Sequence, residues 1–320
     1  AHLSPKYKPL KNPLQNMDVM DVIGYGALNL DKIMSVDKIP KADEEGYITS
    51  IEHHPGGSAA NTIVGLSRLG LKTGYIGKVG SDGEGRILLE DMKSEDVDVS
   101  GIKVCEGDSG AALCFVDRNG DRAMLITPGV NDMITIEDID LEFIRNCRFL
   151  HLTSFINKSS DSSFETQKKV IKETDADISF DPGQLYSEKG LEKMKDIIKR
   201  SRVIFPSEHE VTLLTGCDYK EGSDILISEG VKIVAVTRGE KGCYVTDGKS
   251  KHEIASERVN VVDTTGAGDA FDAGFLYGLI KGKDLRECGV LGNRVASLCI
   301  QRMGTRAGLP TKDKLNFSCV

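Results

Sequence analysis

The feature that most constrains this chain is the alternation of short apolar runs with amphipathic ones from about residue 148 onward. RFLHLTS, DISFD, RVIFP and IVAVTRG each read as a buried strand, and helical patterns fall between them near 163–173, 188–199 and 210–214. Parallel strands need a crossover long enough to carry a helix. The alternation therefore predicts a parallel sheet covered by helices on both faces. Upstream, MDVMDVIGYGAL reads as a buried strand ending in a Gly-rich turn, 58–69 as a helix stopped by Gly70, TGYIGKVG as a strand and GEGRILLEDMKSEDV as an amphipathic helix. CYVTD and HEIAS form a hairpin across Asp247-Gly248, and helices near 266–281 and 285–301 close the chain.

Two stretches do not fit that sheet. Residues 32–54 and 102–128 read as half-exposed strands, the second turning at Arg118-Asn119-Gly120-Asp121, and they predict a small second sheet beside the main one. Residues 1–16 are polar and proline-containing and read as a disordered extension before a single α/β unit over 17–320. The formal net charge is −8 and no basic stripe is interleaved with aromatics, so nucleic acid is not an expected partner. No run reaches the roughly 18 apolar residues of a membrane span. Eight cysteines occur without a Cys-x-x-Cys pair, which reads as buried thiols in a reducing compartment and an expected cytoplasmic location.

Gly24-x-Gly26 follows a strand but lacks the dinucleotide fingerprint, because Asn29 stands at the third glycine position and an extended segment follows. The loop VVDTTGAGDAF, 261–271, is more informative. Gly266-Ala267-Gly268 lies where a strand-like segment gives way to an apolar helix, a place where backbone N–H groups and helix polarity suit an anion. Asp269 falls in the first turn beside that nest. It can accept a proton from an attacking hydroxyl, or simply stabilise the helix terminus, and the loop alone leaves both readings open.

Two signatures in order bear on the choice through a family resemblance. Gly56-Gly57-Ser58-Ala59-Ala60-Asn61, followed by GKVGSDGEGRILLEDMKSEDVDVSGI, and Asp263-Thr264-Thr265-Gly266-Ala267-Gly268-Asp269 together resemble the ribokinase-like (PfkB) sugar and nucleoside kinases, from about Val19 to Pro310. The resemblance implies a doubly wound, mostly parallel sheet flanked by helices, with the small sheet acting as a lid. It implies ATP and Mg2+ as cofactors, and a sugar or nucleoside as acceptor. Asp269 matches the family's catalytic base, and Gly266, Ala267 and Gly268 its anion hole. Asn29, Asp31, Gly57 and Asn61 match positions that hold substrate hydroxyls. Thr237, Gly239 and Gly242 match the segment lining the nucleotide, and Asn293 falls near the adenine. Glu210 matches the glutamate that organises magnesium through water, although Ser207 stands where the family has Asn. Asp263 and Thr265, with the loop 304–308, match a monovalent-cation site present in some members, so K+ is a further candidate. Lids of this type often pair between subunits, which makes a homodimer a candidate assembly.

Asp181, at a strand end, could face the metal or phosphates or merely cap a turn. Asp272, one turn beyond Asp269, competes for the base role. Gly274 and Gly278 suggest close helix packing, and His151 and His209 read as structural or surface residues.

Overall fold

The computed structural model describes residues 19–156 and 160–315. The expected extension, 1–16, and Cys319 lie outside the described residues.

In chain order the elements are β1 (Met20–Tyr25), β2 (Asn29–Val36), β3 (Ile48–Gly56), α1 (Ser58–Arg68), β4 (Thr73–Gly80), α2 (Gly83–Ser94), β5 (Val97–Cys105), β6 (Gly110–Val116) and β7 (Arg122–Thr127). There follow α3 (Leu141–Arg145), β8 (Cys147–Thr153), α4 (Ser162–Val170), β9 (Asp177–Asp181), α5 (Gly183–Ser187), α6 (Leu191–Arg200), β10 (Ser201–Ile204), α7 (Glu208–Thr215), α8 (Tyr219–Ser228) and β11 (Ile233–Thr237). The chain closes with β12 (Cys243–Thr246), β13 (Lys251–Ile254), α9 (Ala267–Ile280) and α10 (Leu285–Cys299).

Nine strands form one sheet in the order β13-β12-β11-β10-β9-β8-β1-β4-β5. Its pairs are parallel from β5 through β11, and the β12–β13 hairpin joins antiparallel. The chain therefore winds outward from β1 to β5 on one side and from β8 to β11 on the other. The turnover point lies between β1 and β8, where open α/β sheets bind ligands at their carboxyl ends. The two faces carry separate apolar cores. One joins α1, α2, α9 and α10 through residues such as Ile63, Leu88, Phe275 and Val295; the other joins the helices between α3 and α8 through Ile144, Phe164, Ile197 and Leu214.

The small sheet has the order β3-β2-β6-β7. Its composition corrects one boundary. The second stretch expected in it began at residue 102, but Ile102–Cys105 complete β5 in the main sheet and pair with Gly77–Gly80. An edge strand is half-exposed, so its alternation reads like that of a free-standing hairpin. The helix expected near 188–199 is α6, which begins after Gly190, and the short α5 before it was not expected.

Two helix contacts decide the geometry near the loop at 261–271. Helix α9 is apolar nearly all round because it is sandwiched against α1 and α10 as well as the sheet. Gly274 and Gly278 face α10 so closely that an added Cβ would stand 2.5 Å from the Leu291 carbonyl at the first and 2.9 Å from Cys288 Sγ at the second. The expected packing role of this pair is therefore correct. Among the described residues no helix is long and apolar enough to cross a membrane. The seven described cysteines are free thiols, five of them buried.

Candidate active site

The residues singled out from sequence gather at the carboxyl ends of the parallel strands. Gly26 follows β1, Asp181 ends β9, Ser207 follows β10 and Thr237 ends β11. The amino ends of α1 and α9 approach the same edge, and side chains from the two helices bond to each other.

Asp269, in the first turn of α9, is the meeting point. Its Oδ1 accepts from Ser58 Oγ at 2.7 Å and its Oδ2 from Asn61 Nδ2 at 2.8 Å, while its backbone carbonyl accepts from Thr62 Oγ1 at 3.2 Å. All three donors lie on α1, so the docking of α1 on α9 aims the carboxylate. Gly57 lets α1 start there. Its φ is 105°, and a Cβ would stand 2.2 Å from the Ala27 carbonyl oxygen, so no other residue fits without displacement.

Beside the carboxylate, Gly266 caps α9 in the left-handed region and Gly268 is exposed. The Ala267 N–H donates to Thr264 O at 3.2 Å. The Gly266 and Gly268 N–H groups have no acceptor among the described residues. Two of the three expected amides are therefore unpaired among the described residues, and one is taken up in the turn. Asp263 braces this loop: its Oδ1 accepts from Thr265 N at 2.9 Å and Thr265 Oγ1 at 2.7 Å, and its Oδ2 from Gly304 N at 2.9 Å. These donors fill three of the roughly four acceptor positions of a carboxylate. Most of what the expected monovalent-cation site needed from Asp263 is thus spent on holding the loop.

The acids near Asp269 are differentiated. Burial raises the Asp269 carboxyl above its ordinary range, opposed by the bonds from Asn61 and Ser58 and by the Arg306 charge. Asp272 is buried, and its Oδ2 finds no partner among the described residues. Burial, with Asp181, Asp269 and Glu210 adding repulsion, drives it well above the carboxylate range. Asp269 is aimed by two side-chain donors on α1, whereas Asp272 is buried with one carboxylate oxygen unpartnered among the described residues, which distinguishes the two aspartates that sequence left in competition. Asp181 is also held well up, by burial first and then by Glu210 and Asp269, while its Oδ1 accepts from Gly183 N at 2.9 Å.

On the lid side, Asp31 lies opposite His54 in the β2–β3 register and opposite Ala112 in β6. Burial lifts its carboxyl from 3.8 to about 6, with Arg306 and His54 pulling it down and Asp269 pushing it up. Asn29 is held by Asn131, which sequence did not point to. Asn131 Nδ2 donates to Asn29 Oδ1 and to Leu28 O, both at 2.9 Å, and its Oδ1 accepts from Leu28 N at 3.1 Å. Asn131 is about a hundred residues away in the chain, so no local pattern could mark it. Arg306 was also overlooked as an individual residue. Its guanidinium is buried among Asn61, Asp91 and the Gly56 carbonyl.

The residues expected around the nucleotide are brought together unevenly. Thr237 bridges to Ser207, and its N–H donates to Pro206 O at 3.0 Å. Gly239 and Gly242 close a tight turn through Gly242 N to Gly239 O at 3.0 Å, followed by Arg238 N to Gly242 O at 2.8 Å. Asn293 has a structural duty: its amide nitrogen donates to Ile254 O and Ala255 O, both at 3.1 Å, bracing β13 against α10. Glu210 also has a structural duty. Its Oε2 accepts from Ser207 N at 2.7 Å while Ser207 Oγ accepts from Glu210 N at 3.3 Å, forming the capping box of α7. His151 is buried with its Nδ1 3.1 Å from Ser179 Oγ, and burial lowers it to about 3, consistent with a structural role.

With this geometry in hand, the comparisons with known proteins are specific. The family model for pfkB family carbohydrate kinases matches residues 20–312. An uncharacterised sugar kinase of Archaeoglobus fulgidus is 49% identical over 247 residues, covering 77% of this chain and 98% of that protein. The ATP-dependent ribose-1-phosphate kinase of Halopiger xanaduensis is 32% identical, over 91% of this chain and 95% of its own. Among solved structures, a ribokinase-like protein of E. coli in complex with ATP and Mg2+ superposes with a TM-score of 0.81 at 25% identity, covering 92% of this chain and 97% of that one.

Proposed function

The chain belongs to the pfkB family of carbohydrate kinases, and from that membership we propose that it transfers the γ-phosphoryl group of ATP to a hydroxyl of a small sugar, with Asp269 as general base. The observation that carries the reading is the pairing of an aimed carboxylate with the open N–H groups of Gly266 and Gly268 in one helix turn. As the acceptor oxygen attacks the γ-phosphorus, its proton passes to Asp269, the bond to the β–γ bridging oxygen breaks and ADP leaves. The two amides and the amino end of α9 then stabilise charge on the transferring phosphoryl oxygens. Burial raises the proton affinity of Asp269, and the bonds from Asn61 and Ser58 oppose that rise.

Asp31, Asn29 and the backbone around Gly57 offer acceptors and donors for the sugar hydroxyls. The small sheet closes over them and excludes water, which would otherwise compete as acceptor. No three His, Cys, Asp or Glu side chains among the described residues are grouped to hold a metal outright. This arrangement fits a magnesium ion that keeps most of its waters and is carried by the nucleotide phosphates. Glu210, with Oε1 outside the capping box, would meet such waters, and Mg2+ would neutralise charge between the β- and γ-phosphates.

A nucleoside acceptor is the second reading, favoured by the lid. Ile33, Cys114 and Met124 lie in register with each other, on the same face as Asp31, Ala112 and Ile126. Met124 and Ile126 are each 51% exposed, an apolar roof suited to a base. The exposed Ile51 and Leu125 on the same sheet, with exposed Tyr47 just before β3, support lid pairing in a homodimer. ADP release with ATP–Mg2+ against ribose, fructose, ribose 1-phosphate and adenosine tests the reading. Turnover of a sugar supports it, turnover of adenosine alone selects the second reading, and silence with intact ATP binding overturns both.

A further inference from the structure

An asparagine side chain has one end that accepts hydrogen bonds and one that donates them. Asn61 lies between a carboxylate, which only accepts, and a guanidinium, which only donates. One of its two amide orientations therefore satisfies both neighbours. Arg306 Nε donates to Asn61 Oδ1 at 2.8 Å, and this turns Nδ2 toward Asp269 Oδ2, also at 2.8 Å. Thr305 Oγ1 adds a weaker contact to the same Oδ1 at 3.4 Å.

Arg306 is itself held from several sides. Its Nη1 pairs with Asp91 of α2, and its Nη2 lies 3.5 Å from Gly56 O. Its own carbonyl accepts from Arg68 Nη1 at 2.6 Å, and Arg68 is paired with Glu95 through Nε and Nη2 at 2.8 and 2.6 Å. The loop after α10 is thereby fastened to α1 and α2, and a buried, fixed cation stands one residue removed from the carboxylate.

We propose that Arg306 is a positioning residue for Asp269: by locking the Asn61 amide, it presents a donor to the carboxylate and holds it ionised and aimed at the acceptor. This rests on the reading of Asp269 as the base. Without Arg306, Asn61 Oδ1 keeps only the weaker Thr305 contact among the described residues, so the amide is held less firmly against the carboxylate and the nearby positive charge is lost. The surroundings make this consequential. Asp31 from β2, Asp181 from β9 and Asp272 from its own helix are each raised in part by the Asp269 charge, with Glu210 of α7 acting on the latter two. Tyr75 of β4 and Cys299 of α10 are further titratable neighbours, both raised by burial. Arg306 is the cation that opposes this group. Ser58 does not depend on Arg306, so its bond to Oδ1 survives the loss.

The test is a carbon-13 carboxyl titration of Asp269, assigned by its disappearance in Asp269→Asn, in the wild-type protein and in Arg306→Lys, Arg306→Met and Arg306→Met/Asp91→Asn. The double variant removes both charges of the buried pair, so it guards against misfolding from a stranded Asp91; thermal melts and ATP binding report folding. In the methionine variants the Asp269 midpoint should rise by about one pH unit, the low end for loss of a nearby opposite charge. The acid limb of kcat/KM, read with ATP–Mg2+ and ribose or adenosine, should move upward equally. Lysine should restore part of the shift, because it keeps the charge but not the fork. In the wild-type protein the Asn61 side-chain amide protons should shift as Asp269 titrates. An unmoved midpoint in a folded methionine variant, or Asn61 protons blind to the Asp269 titration, overturns the proposal. Near-normal turnover of Asp269→Asn would instead remove the base assignment, and the titration would still judge the Asn61 linkage.

Discussion

Asp31→Asn should make the protein more stable and a poorer catalyst at once. The folded state holds the Asp31 carboxyl at about 6 against an ordinary 3.8, chiefly because β2 and β3 enclose it. Below 3.8 the group is protonated whether folded or unfolded, and it affects nothing. As pH rises from 3.8 to 6 the unfolded chain loses the proton first, and stability falls; above 6 the full cost of a buried charge is present. That cost is about 3 kcal/mol at pH 8 and about 1 kcal/mol at pH 4.5. Asparagine has nearly the same shape and no charge. Urea denaturation of Asp31→Asn against the wild-type protein should therefore show a gain approaching 3 kcal/mol at pH 8, shrinking to about 1 kcal/mol at pH 4.5. The KM for the acceptor should rise roughly 10- to 100-fold, the value of hydrogen bonds to a charged group. A gain that is the same at both pH values, or a loss at pH 8, would refute the reasoning about burial at this site.

Gly57→Ala forces a side chain into a backbone region that L-residues avoid and against the Ala27 carbonyl; it should destabilise by about 3 kcal/mol or more and lower turnover by misaiming Ser58 and Asn61. Thermal melts and ADP release read the two effects separately, and a neutral outcome would mean that the start of α1 is not fixed by Gly57. Ser207→Ala removes a helix cap and should cost about 1 kcal/mol in urea denaturation while leaving the magnesium dependence of turnover unchanged. A shift in the magnesium titration would show that the Ser207 hydroxyl reaches the metal's water.

Much of the fold was legible because buried parallel strands and crossover helices leave opposite periodicities in the chain. RVIFP and IVAVTRG became β10 and β11, and the two closing helices were placed within two residues of α9 and α10. What escaped was set by contacts rather than by pattern. Helix α8 has its aliphatic residues in one run, 225–227, and an internal glycine, so its sequence gives little helical periodicity. Gly222 is there because a Cβ would stand 2.3 Å from Val211 Cγ1, where α7 packs closely. The strand β5 was mistaken in part for lid because its outer edge is solvated. The site divides the same way. Asp269 and its glycines lie within four residues and carry a local signature. Asn131 and Arg306 act on residues more than a hundred positions away, and their side chains acquire meaning only once α1, α2 and the loop after α10 are assembled. Asn293 shows the converse, since alignment near an expected adenine did not reveal that its amide nitrogen is already bonded within the protein.

The most direct measurement is turnover of Asp269→Asn with ATP–Mg2+ and the acceptor that the wild-type protein uses best. The account expects folding and ATP affinity to be retained and turnover to fall by roughly 10²- to 10⁴-fold, the contribution of a positioned base. Turnover within a few-fold of the wild-type protein would contradict it, because the proton would then be leaving by another route and the alignment of Ser58 and Asn61 on that carboxylate would serve structure alone.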